Sequence, residues 1–241
     1  MSEVQGQGQD LSPAPSPPEE SSTKARLVHT RLVAAYGPRD WIPHGDPLDE
    51  LIATILSQHT SDVNSSRAFA SLRQAFPTWE DVLAADDAAV ADSIRGGGLA
   101  GVKAPRIRAL LASLKAAYGT PRLDFLRDQP TAEAREILEA IPGVGPKTAA
   151  CVLLFCLGRP VLPVDTHVHR VARRIGLAPA NASPVEVEEA LEAALPPEDY
   201  FSMHVSLIAH GRRTCKAQRP LCGSCPVADL CDFVREASAT E

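Results

Sequence analysis

Residues 136–157 read EILEAIPGVGPKTAACVLLFCL, and this stretch decides the fold. It divides into an amphipathic helix, a glycine-bearing turn and a second, more apolar helix, so the unit is a helix-hairpin-helix. Gly143 and Gly145 permit positive φ and put no side chain in the way. The turn's N–H groups can therefore converge on a phosphate oxygen where the second helix begins. Pro146 suits the first helical turn, where a missing N–H costs nothing. Such a unit grips a nucleic-acid backbone without reading its sequence; the competing reading is a plain turn between two helices.

The pattern extends outward from this hairpin. Leu48, Leu51, Ile52, Ile55 and Leu56 recur at helical spacing, as do Ile107, Leu110, Leu111 and Leu114, and the alternation expected of strands is absent. The fold class is all-α. Gly96–Gly98 mark a loop, Pro160–Pro163 an extended connector, and Pro196–Pro197 the end of a helix. Residues 1–23 are rich in Ser, Pro, Gly, Gln and Glu and nearly empty of large apolar side chains, so they are expected to be disordered. No internal repeat of fixed period is visible.

With 241 residues and 44% apolar side chains, the chain has ample material for a buried core. The N-terminus lacks a signal-peptide pattern, and the longest apolar run, Ala149–Leu157, falls well short of the roughly 20 residues a membrane span requires. No membrane association and a cytoplasmic location, with the nucleoid as its place in a bacterium, are the expectation. In that compartment six cysteines are thiols or metal ligands rather than a disulfide framework. The net charge of −6 runs against a nucleic-acid partner, yet Glu3, Asp10, Glu19 and Glu20 supply four of those charges from a stretch without Lys or Arg. The remaining chain is nearly neutral and can carry a basic face, with Arg170, Arg173, Arg174, Arg212, Arg213, Lys216 and Arg219 as candidates, although a scattered, solvated charge is the stronger reading of any one of them.

Three groups of residues carry chemistry. Lys147 falls in the first turn of the second hairpin helix, where the positive end of the helix dipole disfavours an ammonium and favours the neutral amine that a Schiff-base nucleophile needs. The alternative is a lysine that pairs with a phosphate. Asp165, in LPVDTHVHRVARRIG, follows the apolar connector and precedes a helix, so it is a candidate N-cap. Its fixed charge also suits stabilisation of the positive charge that builds at an anomeric carbon when a glycosidic bond breaks. Cys215, Cys222, Cys225 and Cys231 have the spacing C-x6-C-x2-C-x5-C, and four thiols this close in sequence can surround one metal centre. Spacing alone leaves zinc and iron–sulfur open. Cys151 and Cys156 lie in the apolar hairpin helix and read as buried thiols; His167, His169, His204 and His210 read as structural.

IPGVGPKTA, VDTHVHRVARR and HGRRTC with the cysteines resemble, in order and spacing, the endonuclease III family of helix-hairpin-helix DNA glycosylases, over about Pro47 to Cys231. The resemblance implies a bifunctional glycosylase and abasic-site lyase of base excision repair, acting on oxidised pyrimidines in damaged double-stranded DNA. Lys147 would be the nucleophile and Asp165 would assist base loss and β-elimination. A lysine at position 147 distinguishes this pattern from the related adenine glycosylases. The resemblance also turns the metal choice to a structural [4Fe-4S] cluster on the four cysteines, shaping a DNA-facing loop that contains Lys216 and Arg219.

A family enzyme fills the gap left by an extruded base with a glutamine and a leucine. LSQHTSD (56–62) resembles the first element, but its register puts His59 where glutamine is expected and Gln58 one residue earlier. Leu99 matches the second, with a core leucine as its alternative. The expected architecture is two helical domains with a DNA-binding cleft between them: residues 45–158, with Lys147, and residues 24–44 plus 159–235, with Asp165 and the cluster. A monomer is expected. The competing functions are a glycosylase of other specificity, such as a mismatch enzyme in which Lys147 only assists, and a non-catalytic DNA-binding or redox-sensing module.

Overall fold

The computed structural model describes residues 19–239, and among them the chain forms twelve α-helices and no strand. They are α1 (Glu19–Tyr36), α2 (Pro47–Ser57), α3 (Asp62–Ala75), α4 (Trp79–Ala84), α5 (Asp87–Ser93), α6 (Ala100–Tyr118), α7 (Thr131–Ala140), α8 (Pro146–Cys151), α9 (Thr166–Ile175), α10 (Pro184–Ala194), α11 (Tyr200–Arg213) and α12 (Asp232–Ala239). The all-α reading holds. Residues 1–18 lie outside the described residues, but α1 already includes residues 19–23, so the expectation of disorder is corrected there. The helix reaches back because it has a partner. Ala25, Val28 and Leu32 bury one stripe of it, and Lys24 pairs with Asp232 of α12 at 2.8 Å.

Buried side chains fall into two cores. One draws on residues 48–161, with α2 and α6 at its centre and α8 packed against α2 and α7. The other joins Ala25, Val28 and Leu32 of α1 to residues 162–231, with α11 packed on both α1 and α9. Two ion pairs run between helices of different cores. Arg135 of α7 meets the buried Glu188 of α10 at 2.5 Å, and Arg212 of α11 meets Asp62 of α3 at 2.8 Å.

The hairpin's second helix departs from the expected regular α-helix. Val152–Cys156 widens into a π-turn, closed by Leu157 N–H on the Val152 carbonyl at 3.3 Å. A helix end leaves four carbonyls without intrahelical donors. Here all four are met from outside: Leu153 by Arg159 N–H, Leu154 by Trp41 Nε1, Phe155 by His44 N–H and Cys156 by Arg127 Nη1. The segment joining α1 to α2 is thereby fastened to the base of the hairpin.

Candidate DNA-binding cleft

The connector of residues 161–164 places Asp165. Val161, Leu162 and Val164 are buried, so the connector's backbone polar groups need partners inside the protein. Glu192 accepts the Leu162 N–H at 2.7 Å, and His204 Nδ1 donates to the Pro163 carbonyl at 2.7 Å. Burial pushes the His204 imidazole down to about 4, so at neutral pH it is an uncharged donor with its tautomer set by that carbonyl. Asp165 then caps α9, its Oδ1 accepting N–H groups of His167 at 2.8 Å and Val168 at 2.7 Å.

Lys147 stands at the second position of α8, half-buried, immediately after Pro146. It and Asp165 line one cleft of about 450 Å³ together with Thr54, Ser57, Gln58, Thr166 and His169. The cleft is therefore bounded by the end of α2, the start of α8 and the start of α9. Residues 89 and 107 positions apart from Gln58 in the chain meet there because each sits at a helix terminus. Sequence reading had not foreseen Thr54 and Ser57, whose only signal was their place on the last turn of α2. Directly below Lys147, one helical turn on, the Cys151 thiol is fully buried, and that burial raises its pKa despite the adjacent amine.

The hairpin turn uses glycine's conformational freedom at one of its two glycines. Gly143 has φ +82°, as required of a residue in the left-handed region, and a Cβ there would stand 2.7 Å from Arg106 Nε. Gly145, however, has φ −102° and ψ 174°, an extended conformation open to any residue. The freedom that glycine offers is not used there: as N-cap of α8 Gly145 is extended, and its carbonyl accepts Thr148 and Ala149 N–H. The N–H groups of Gly143 and Gly145 form no hydrogen bond among the described residues.

Gln58 and His59 diverge. Gln58 lines the cleft and its Oε1 accepts a 2.8 Å hydrogen bond from Arg106 Nη1, whereas His59 is exposed with φ +56°. Leu99 is 54% exposed with φ +53° at the tip of the glycine loop, so the core-leucine alternative is excluded. Arg219 is exposed with φ +50°. These are the non-glycine residues with positive φ among the described residues, and all three are ones that sequence reading singled out for DNA contact. A left-handed conformation at a side-chain-bearing residue costs on the order of 1–2 kcal/mol and persists only where the surroundings impose it.

The basic face is narrower than expected. Arg170 donates to the Gly211 and Cys215 carbonyls, Arg173 to the Ala180 carbonyl and Arg174 to the Lys216 and Ala217 carbonyls, so the α9 arginines brace backbone. Arg212 is paired with Asp62, and Arg213 lies over the Tyr36 ring. Lys216 and Arg219 are exposed in the loop that follows Cys215.

Cys215, Cys222, Cys225 and Cys231 are free thiols lining one small apolar pocket with His210, Leu221 and Phe233. Burial, reinforced by the neighbouring cysteines, raises the Cys225 and Cys231 thiols above their ordinary range. Thiols gathered in this way can give up their protons to a shared cationic centre, which then binds all four sulfurs. Donors for sulfur are already in place: backbone N–H groups of Val227 toward Cys225 and of Phe233 and Val234 toward Cys231, and Arg174 Nη1 toward Cys215 at 3.6 Å. The donor set fits an iron–sulfur cluster, which would hold α9, α11 and α12 together and fix the loop bearing Lys216 and Arg219.

Comparison with known proteins agrees with this geometry. The HhH-GPD superfamily of base excision DNA repair proteins matches residues 52–197, and the iron–sulfur binding domain of endonuclease III matches residues 215–231. Endonuclease III of Thermotoga maritima is 36% identical over 196 residues, covering 81% of this chain and 87% of that protein. An Arabidopsis thaliana protein is 41% identical over 165 residues, 68% of this chain, and the chain spans 56% of its length. Among solved structures, a trapped endonuclease III–DNA covalent intermediate superimposes with a TM-score of 0.77 at 31% identity, over 90% of this chain and 98% of that one. With its hairpin, its cleft and a [4Fe-4S] domain in the same order along the sequence, the chain belongs to the endonuclease III family within the HhH-GPD superfamily of base excision DNA repair proteins.

Proposed function

We propose that the protein is a bifunctional DNA glycosylase and abasic-site lyase that removes oxidised pyrimidines from duplex DNA. The observation that carries this reading is an amine and a carboxylate, Lys147 and Asp165, lining one cleft wide enough for a deoxyribose. The amine of Lys147 attacks C1′ of the extruded nucleotide; the C1′–N bond to the base breaks, and the base leaves with the bonding electrons and takes up a proton. Asp165 stabilises the positive charge that develops at C1′, in a cleft where surrounding dipoles are already oriented. The nitrogen then gives up a proton and its lone pair expels O4′ from C1′, opening the sugar ring as O4′ takes up a proton, and the Schiff base so formed acidifies C2′–H. Loss of that proton expels the 3′ phosphate and nicks the strand, and water then releases Lys147. That a related endonuclease III has been trapped in a covalent intermediate with DNA supports the same course here.

The reading assigns the remaining residues. The two cores serve as domains, 45–158 and 24–44 with 159–235, and a monomer docks the duplex across the cleft between them. Gly143 and Gly145 offer N–H groups to a phosphate, and Lys216 and Arg219 neutralise others. Leu99 and His59 enter the stack, and Gln58, tied to Arg106 at the cleft wall, faces the extruded nucleotide. Cys215, Cys222, Cys225 and Cys231 ligate the [4Fe-4S] cluster.

Borohydride reduces a Schiff base to a stable amine. Wild-type protein incubated with a duplex holding one oxidised pyrimidine should therefore become linked to DNA when borohydride is present, and Lys147→Ala should not, while still binding the duplex. Base release by wild type with no linked product would refute the lysine mechanism.

A further inference from the structure

Lys103 is 4% exposed, an uncommon state for a lysine, and the functional reading assigns it nothing. Its ammonium donates to the Leu56 carbonyl at 2.7 Å and to the Gly97 carbonyl at 2.9 Å. Leu56 belongs to the last turn of α2, where carbonyls lack intrahelical donors and the helix dipole is negative, so the charge sits where a cation is stabilised. Gly97 belongs to the loop that leads to Leu99. Its backbone lies so close to α3 that a Cβ would stand 2.8 Å from Ala68 Cβ. Lys103 thus joins the end of α2, just before Gln58 and His59, to the loop that presents Leu99.

Arg106 lies three residues on, on the same helix. Its Nη1 donates to Gln58 Oε1 at 2.8 Å and its Nη2 to the Gly143 carbonyl. One helix, α6, therefore supplies two cations that connect three separate DNA-facing elements: the loop after α2, the glycine loop and the hairpin turn. Packing holds each loop on the core, Gly97 against Ala68 among them, but these contacts supply the ties from one loop to another, and they help to hold His59 and Leu99 in their left-handed conformations.

We propose that Lys103 and Arg106 are positioning residues that fix the spacing of the His59 loop, the Leu99 loop and the hairpin turn, so that the three act as one rigid wedge when a nucleotide is extruded. The inference rests on the excision reading above. It makes the benefit of the bracket depend on how firmly the target base is stacked, because a rigid wedge matters only where base pairs must be separated.

The test compares single-turnover excision of one oxidised thymine in a fully paired duplex with excision of the same lesion inside an unpaired bubble. The proteins are wild type, Lys103→Met and Arg106→Met, each carrying its cluster. Lys103→Met keeps the aliphatic length and removes both donors. Arg106 is half-buried and its substitution leaves the core intact, so it carries the test should Lys103→Met fail to fold. The paired substrate should slow about tenfold or more, as expected for reacting groups held in imperfect register. The bubble substrate should slow less than about threefold, because its base is already free of the stack. Equal slowing on both substrates, or no slowing on either, overturns the inference while leaving the excision reading standing. A wild type inert toward both substrates overturns the excision reading and this inference with it.

Discussion

The proposed mechanism gives Asp165 a second task beside its N-cap, and two substitutions separate them. As N-cap of α9, Oδ1 accepts two backbone N–H groups at 2.8 and 2.7 Å. Asparagine keeps a carbonyl oxygen in that place and ranks with aspartate as a cap, so Asp165→Asn loses only the attraction between charge and helix dipole, about 0.5 kcal/mol. Asp165→Ala loses the cap as well, for a total of about 1–2 kcal/mol. In a protein of this size 1 kcal/mol moves Tm by roughly 2–4 °C, so the alanine variant should melt about 3–6 °C below wild type and the asparagine variant within about 2 °C of it. Catalysis follows a different order. Removing a fixed group that stabilises developing charge costs about 100- to 1000-fold, and both variants lack the charge. Calorimetry on the cluster-loaded proteins, paired with single-turnover excision, reads both effects. Asp165→Asn should therefore be nearly as stable as wild type and nearly as inactive as Asp165→Ala. An asparagine variant that excises within about threefold of wild type would refute the electrostatic role. One that melts as low as the alanine variant would refute the assignment of the cap.

Other perturbations probe different parts of the molecule. Leu99 is 54% exposed, so Leu99→Ala should change unfolding free energy by less than about 0.5 kcal/mol in urea titrations yet slow excision from paired DNA. His204 is depressed to about 4 in the folded state from an ordinary value of 6.5, so the unfolded chain binds the extra proton between those values. Its share of stability is intact above pH 6.5 and declines as pH falls toward 4, by up to about 1.4 kcal/mol per pH unit. The stability advantage of wild type over His204→Asn, measured in urea at pH 7 and pH 5, should accordingly shrink in acid; an advantage independent of pH would refute the buried neutral imidazole. Cys225→Ser should bleach the visible absorption of the cluster and weaken binding to undamaged duplex by loosening the Lys216–Arg219 loop. Full DNA affinity in the bleached variant would detach that loop from the cluster.

What could be read from the sequence and what could not divide along a physical line. The hairpin, the N-cap at Asp165 and the four-cysteine site depend on residues close together in the chain: PGVG between two apolar runs, an acid at the start of a helix, thiols within one loop. Local chemistry decides each of these. The widened turn at Val152–Cys156 does not announce itself, because it is stabilised by Trp41, His44 and Arg127, all distant in sequence. Which of Gly143 and Gly145 takes a positive φ was not legible for a related reason. Glycine permits positive φ without requiring it, and the adjoining helix demanded an extended N-cap instead.

Cations were the hardest residues to read, and the reason bears on how this protein meets DNA. A lysine or arginine in a sequence is first taken for a solvated charge, and the sequence offers seven of them as candidates for a basic face without showing what each one touches. In the structure Arg170, Arg173, Arg174 and Lys103 donate to backbone carbonyls of loops, and Arg106 bridges a side chain and a carbonyl. Carbonyl partners carry no net charge, so each of these residues braces backbone without a carboxylate cancelling its charge. The same cations can therefore position the surfaces that touch DNA and supply part of the positive potential there. On the proposed reading, a chain with a net charge of −6 meets phosphates through Lys216 and Arg219, exposed in its cluster loop beside the exposed Arg212 and Arg213 at the end of α11. The reading also predicts that neutralising Lys103 or Arg106 alters excision from paired DNA more than it alters the salt dependence of binding, because their charges are held behind the contact surface rather than in it.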